Sequence, residues 1–369
     1  MVAVTTAYST SSYRSVASSA TASTAATTTT TTTPASTTSQ GAATNVTLSA
    51  EALAAMATKD FITVVADARA KLDTLLKDAG RTNPLEGGKM AIDLSSLDAR
   101  EIFAMATDTS FTADEQSAAS LEMQRRFEAA LAGPAAVAKV SGNYQGLYKA
   151  AADYLDSLGP EEKAGADWIA GRDALTEGLK QLQTDPKKIP DAGDADPVAL
   201  YLALAQAGQT TQPTSITDVA TSARKALDKL YADAITGGKV PTFNKQTSVG
   251  TYIDMSRFDS RSLSSIVLDS TGQFNEQETR AANTALRDKS GAALLAGFNN
   301  AAKSSDPTAF SQNIISIFSS MSAEERQAAG WSDKFYDAAV ESYAATTKLT
   351  QMFADAGGTS TDFLSWLGK

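Results

Sequence analysis

Ile92-Asp93-Leu94-Ser95-Ser96-Leu97-Asp98-Ala99-Arg100 returns in the same chain as Ile253-Asp254-Met255-Ser256-Arg257-Phe258-Asp259-Ser260-Arg261. Five of the nine positions are identical, and the exchanges of Leu for Met and Leu for Phe keep apolar character. One stretch carried twice, 161 residues apart, points to a duplicated domain and not to a solenoid of short repeats. Each copy reads as a short extended piece running into a helix, because Ile92 and Leu94, or Ile253 and Met255, alternate with polar residues. Ser95 and Ser256 are the expected N-caps, with Asp98 and Asp259 three residues on. The helix behind carries Ile102 and Met105 in one half, Leu263 and Ile266 in the other.

Working outward, the matches continue on both sides. Upstream, Ile62, Val65, Leu72, Leu75 and Leu76 are expected on one helix face, and Ile216, Val219, Ala223, Leu227, Leu230 and Tyr231 on its counterpart. Ala68-Arg69 and Ala223-Arg224 match within these helices at an offset of 155 residues. The growth from 155 to 161 places six extra residues between Asp233 and Thr251. Downstream, Thr112 and Glu115 have capping-box spacing, as do Asn275 and Glu278, now at an offset of 163. The stripe Leu147, Ala151, Tyr154, Leu155 and Leu158 recurs with identical spacing as Phe310, Ile314, Ile317, Phe318 and Met321. A turn follows each stripe and starts another helix, at Gly159-Pro160-Glu161-Glu162 and at Ser322-Ala323-Glu324-Glu325. Trp168 and Trp331 come next.

The expected fold is therefore all-α. It is a tandem duplication of a multi-helix domain, with one short extended segment per repeat, behind a disordered N-terminal leader. Residues 1–45 are rich in Ser, Thr and Ala, with an unbroken Thr27 to Thr33 run, and such a segment buries too little apolar surface to offset its ordering entropy. Residues 46–183 form the first helical domain and residues 184–196 a proline-rich linker. Residues 197–369 form the second domain, whose opening helix Pro197 to Ala207 pairs in the reading with Leu48 to Ala57.

Composition narrows the chemistry. Of 369 residues 43 % are hydrophobic and 20 % charged, enough to build a sizeable core. A formal charge of −10 argues against nucleic acid and against an anionic membrane surface, both of which call for Lys and Arg. The chain has no His and no Cys. Imidazole and thiol catalysis, the Ser-His-Asp triad and Cys/His zinc sites are thereby excluded. No apolar run is long enough to span a bilayer.

Several constellations carry residues suited to chemistry. Asp269 to Glu278 resembles the later part of an EF-hand calcium loop, with Gly272 at the sixth position and Glu278 at the twelfth. The first ligand position would be Val267, which offers no oxygen, so the stretch reads as a tight turn before a capped helix. Asp98 with Arg100, and Asp259 with Arg261, could form a two-fold site; the simpler reading is a cap carboxylate plus a helix-contact Arg. Trp168 and Trp331 read as core residues more readily than as groove linings. Glu161-Glu162 and Glu324-Glu325 suit helix starts as well as acid/base roles. Gly87-Gly88-Lys89 and Gly237-Gly238-Lys239 lack the full phosphate-loop pattern and read as helix-terminating loops. No catalytic, cofactor-binding or metal-ligating residue is assigned.

The leading expectation is a non-catalytic interaction or structural protein with a protein partner. The competing class is a hydrolase using carboxylates or Ser/Lys. The leader, the acidic charge and the lack of Cys are similar in kind to bacterial proteins exported without a cleaved signal, by flagellar or type I routes. Val46-Thr47-Leu48-Ser49-Ala50-Glu51-Ala52 resembles stretches in flagellum-associated proteins. Met1 to Ala25 lacks the basic and apolar regions of a standard secretory signal; on the resemblance just given, a secreted or cell-surface place by a non-Sec route is expected ahead of a cytoplasmic one.

Overall fold

A computed structural model of the chain describes residues 59–211, 214–246 and 248–355. The expected leader 1–45, the helix at 48–57 and the apolar stretch 362–367 lie outside the described residues. Within them the protein is mostly helical, with little strand.

The first half begins with α1 (Phe61–Ala79). Its buried line is Val64, Ala68, Leu72 and Leu76, spaced by four throughout. Ile62 is exposed, since it sits more than half a turn from that line. Gly80 ends the helix at φ 63°, and Arg81 donates back to the Leu76 carbonyl. A small hairpin follows, β1 (Leu85–Glu86) paired antiparallel with β2 (Lys89–Met90). Its turn is Gly87-Gly88, with φ of 58° and 76°, a conformation that two-residue hairpins favour. The expected helix-terminating loop is therefore a strand turn here.

The motif then closes under α2 (Ala99–Thr107), with Ile92, Leu94 and Leu97 buried. The expected N-caps are displaced by three residues. Asp98, not Ser95, caps α2, in a reciprocal box with Glu101. The cause is Asp93, whose carboxylate accepts the Ser95 amide and turns the chain first. In the other half Asp254 accepts the Ser256 amide, and Asp259 caps the next helix. The expected extended piece is thus a turn, continued by a short 3-10 helix at Met255–Arg257.

Capping box Thr112/Glu115 starts α3 (Ala113–Ser141). There follow α4 (Gln145–Asp156), α5 (Pro160–Lys163), α6 (Ala166–Thr184) and α7 (Pro197–Ala207). Residues 185–196 are bonded onto the helices around them: Tyr144 donates to the Pro186 carbonyl, and Gln181 both donates to and accepts from Asp191. Asp196 is buried, accepts the Tyr148 hydroxyl at 2.5 Å and caps α7. Val198 and Tyr201 of α7 share a core with Leu147, Tyr148, Leu175 and Leu182 of α4 and α6. Gly178 makes room for that core, because a Cβ there would lie 2.4 Å from the Tyr148 ring.

The second half runs α8 (Ile216–Thr236), β3 (Val240–Thr242) paired parallel with β4 (Gly250–Tyr252), and α9 (Ser260–Leu268). Capping box Asn275/Glu278 starts α10 (Glu276–Lys303). After α11 (Ala309–Ser320), box Ser322/Glu325 starts α12 (Ala323–Ala329), and α13 (Asp333–Asp355) follows. Ala68, Leu72, Ile92, Leu94, Leu97, Ile102, Met105 and Phe111 form one core. Ala223, Leu227, Ile253, Met255, Phe258, Leu263, Ile266 and Phe274, the positions matched to them in sequence, form another.

The two halves also pack on each other. Ala136, Val137 and Val140 of α3 join a cluster with Ile314 and Ile315 of α11 and Ala339 of α13.

Candidate functional site

The charged residues at matched positions build two pairs of linked sites. In the first half Arg69 of α1 reaches Glu115, the capping residue of α3, at 2.7 and 3.1 Å, and donates to the Ser110 carbonyl. Its guanidinium stacks 4.1 Å above Phe111. In the second half Arg224 of α8 reaches both Glu278 oxygens at 2.9 and 2.8 Å, donates to the Gln273 carbonyl and lies 5.3 Å over Phe274. Tyr231 adds a hydroxyl bond to Glu278, and its own ionisation is pushed up, first by burial and then by that carboxylate. Burial alone would raise the Glu115 carboxyl. The hydrogen bonds from Arg69 and Thr112 outweigh it and hold the group below the usual carboxylate range. Sequence reasoning matched the two Arg residues but gave them no role. The signal was available: an Arg repeated at an offset of 155 residues and a capping Glu repeated at 163.

Asp98 and Arg100 part company in space. Asp98 stays at the helix start, while Arg100 crosses to Glu161 on α5 in a two-pronged contact and also donates to the Lys59 carbonyl. Gly159 stands where a Cβ would meet the Arg100 side chain at 2.6 Å. Asp259 and Arg261 divide in the same way. Arg261 donates to the Thr214 carbonyl at 2.6 Å, but Glu324 lies 3.8 Å away, and Arg261 Nε and Nη1 make no hydrogen bond. These contacts tie helices to one another and to the loops beside them.

The remaining candidates separate likewise. Asp269 adopts φ 38° and accepts the Gln273 and Phe274 amides, closing a turn in front of α10. Glu278, the twelfth position of the calcium-like stretch, is committed to Arg224, Tyr231 and the Asn275 amide. Gly238, at φ 70°, follows the end of α8, and Lys239 is exposed. Trp168 and Trp331 are half-buried where full core positions were expected. Trp168 donates to the Leu155 carbonyl at 2.8 Å, and Trp331 stacks on Phe318. The reason is their place on helix-end turns, where one ring edge reaches solvent.

Glu162 differs from its counterpart. Glu325 bonds reciprocally with Ser322, whereas Glu162 is buried and only Lys163 opposes its neutralisation. Burial pushes its carboxyl up to about 7.

One cavity, about 440 Å³, opens between the end of α8, β4 and the 3-10 helix. Asp233, Lys239, Asp254 and Arg257 line it together with Tyr252. Its lining runs from Leu230 to Arg257. Among the described residues no group of three or more carboxylates is placed to hold a metal ion, and no helix is long and apolar enough to cross a membrane. No family model, curated protein or solved structure matches the chain.

Proposed function

We propose that this is a non-catalytic interaction or structural protein built from two copies of one helical unit. The observation that carries the reading is the matched use of charge. Arg69–Glu115 and Arg224–Glu278 make the same contact, down to the aromatic ring beneath and the carbonyl beside it. Arg100 and Arg261 likewise cross to Glu161 and Glu324 and reach back to the carbonyls of Lys59 and Thr214. Repetition at this level supports common descent of the halves. It also supports a structural use for these charges, which are spent on holding helices together. The packing of α7 on α4 and α6 supports a boundary after Gly208 in place of the proline-rich segment 184–196. Export without a cleaved signal belongs to the same proposal, and mass spectrometry of culture supernatant against cell lysate tests it.

A second reading, a carboxylate-dependent hydrolase, has one observation in its favour: the Glu162 carboxyl sits near neutrality, where a general acid works best. Purified protein assayed on ester, glycoside and peptide substrates decides between the two. The proposal expects no turnover above blank. Turnover that is lost in Glu162→Gln, with the fold retained, would overturn it in favour of the hydrolase.

A further inference from the structure

We infer that the chain's own C-terminal stretch Asp362-Phe363-Leu364-Ser365-Trp366-Leu367 docks on the open apolar face formed by Leu295 and Phe298 of α10 and Phe310 of α11. The inference rests on the duplication proposed above and takes it one step further.

The face is the second-half counterpart of a covered one. Leu147 of α4 is 0 % exposed, in a core completed by Val198 and Tyr201 of α7. Phe310 holds the matching position on α11 and is 38 % exposed. Its ring meets Phe298 edge-on at 5.8 Å, and Phe298 is 57 % exposed and Leu295 59 %. The first half has Ala132 and Ala135 where the second has Leu295 and Phe298. The second face is thus larger and more apolar, yet no described residue covers it as α7 covers Leu147. Adjacent aromatic and Leu side chains left open in this way mark a docking surface.

The sequence supplies an occupant in the expected place. The helix α7 opens with Asp196 as cap, then turns Val198 and Tyr201, three residues apart, onto its neighbours. Asp362 is followed at the same distances by Leu364 and Leu367. The segment follows α13, as α7 follows α6, and α13 is the helix matched to α6. Reach is sufficient. Ser311 of α11 bonds Ser342 of α13 at 3.0 Å, so from Ser342 onward α13 runs past the start of α11, next to Phe310. Thirteen residues of helix to Asp355 travel about 20 Å. The six residues 356–361 can return about 20 Å when extended. The segment from Asp362 then arrives level with Phe310.

The chain has no Cys, so introduced pairs report cleanly. The test is a bis-maleimide crosslink in the full chain carrying Phe310→Cys and Leu364→Cys, with Ser311→Cys and Ser342→Cys as a positive control. The expected result is an intramolecular link joining the two peptides by mass spectrometry. Its yield should be comparable to the control and unchanged on about tenfold dilution, as for an intramolecular encounter. Links between chains that fade on dilution would overturn the inference and assign the face to a second copy. A control that links while Phe310→Cys/Leu364→Cys does not would also overturn it. That failure leaves the duplication standing, since the matched Arg–Glu clamps test the duplication separately.

Discussion

Gly133 of α3 and Ser316 of α11 are in contact so close that a Cβ on Gly133 would lie 2.5 Å from the Ser316 hydroxyl and 2.7 Å from its carbonyl oxygen. The halves of the chain meet at this point, and only a residue without a side chain permits it. Gly133→Ala should therefore destabilise the whole protein. A helical Gly-to-Ala exchange gains about 1 kcal/mol at most from propensity. Overpacking against backbone costs about 1–3 kcal/mol, so the clash wins. Thermal melting checks it: a single transition at lower temperature is expected.

The matched clamps should behave alike. Arg69→Met strands Glu115, and Arg224→Met strands Glu278, whose side chain is 1 % exposed. Stranding a charged acceptor in these part-buried pairs costs about 1–3 kcal/mol. Losses of that order in both variants, measured by urea unfolding, agree with one unit used twice. A large loss in one and none in the other would count against it. The pH dependence has a definite sign. The folded Glu115 carboxyl lies below its unfolded value, so its contribution is present above the unfolded value near 4.5. That contribution fades as pH falls through the folded value.

Glu162 should act with the opposite sign. Its folded carboxyl holds a proton up to about 7 against 4.5 for the ordinary group. Its protonated form fits the fold, so stability is fully present below 4.5 and declines as pH rises towards 7. The difference corresponds to about 3 kcal/mol. Glu162→Gln should flatten the profile between pH 5 and 8 and melt higher than wild type at pH 8. Parallel profiles for the two proteins would remove Glu162 from the account.

Calcium should leave the melting temperature unchanged at millimolar concentration. Glu278 is already bonded to Arg224 and Tyr231, and Asp269 to two backbone amides. A ligand that binds the native state alone raises the melting point by mass action, so a rise abolished by Glu278→Ala would contradict this.

Local signals were the legible part of the fold. Apolar residues four apart marked the buried line of α8, whereas of the face expected for α1 only Leu72 and Leu76 are buried; Thr112/Glu115, Asn275/Glu278 and Ser322/Glu325 gave true capping boxes. Each depends on residues within one or two turns of each other. Ser95 and Ser256 misled because Asp93 and Asp254, just upstream, compete for the same amides. The crossing of Gly133 with Ser316 and the docking of α7 left no period to read. They join residues far apart in sequence, and a small residue in a helix is compatible with many neighbours. Arg100 with Glu161 is similar: the types were visible, the pairing was not.

Helix α3 of the first half packs on α11 of the second through Ala136, Val137, Val140, Ile314 and Ile315. Separate expression of residues 46–211 and 212–369, followed by mixing, tests it most directly. Ile315 is buried in a cluster with Ala136, Val137 and Val140, so the second fragment alone exposes part of that core. The fragments should associate one to one, and the second should melt cooperatively only when the first is present. Two fragments that each melt cooperatively and stay apart when mixed would contradict it.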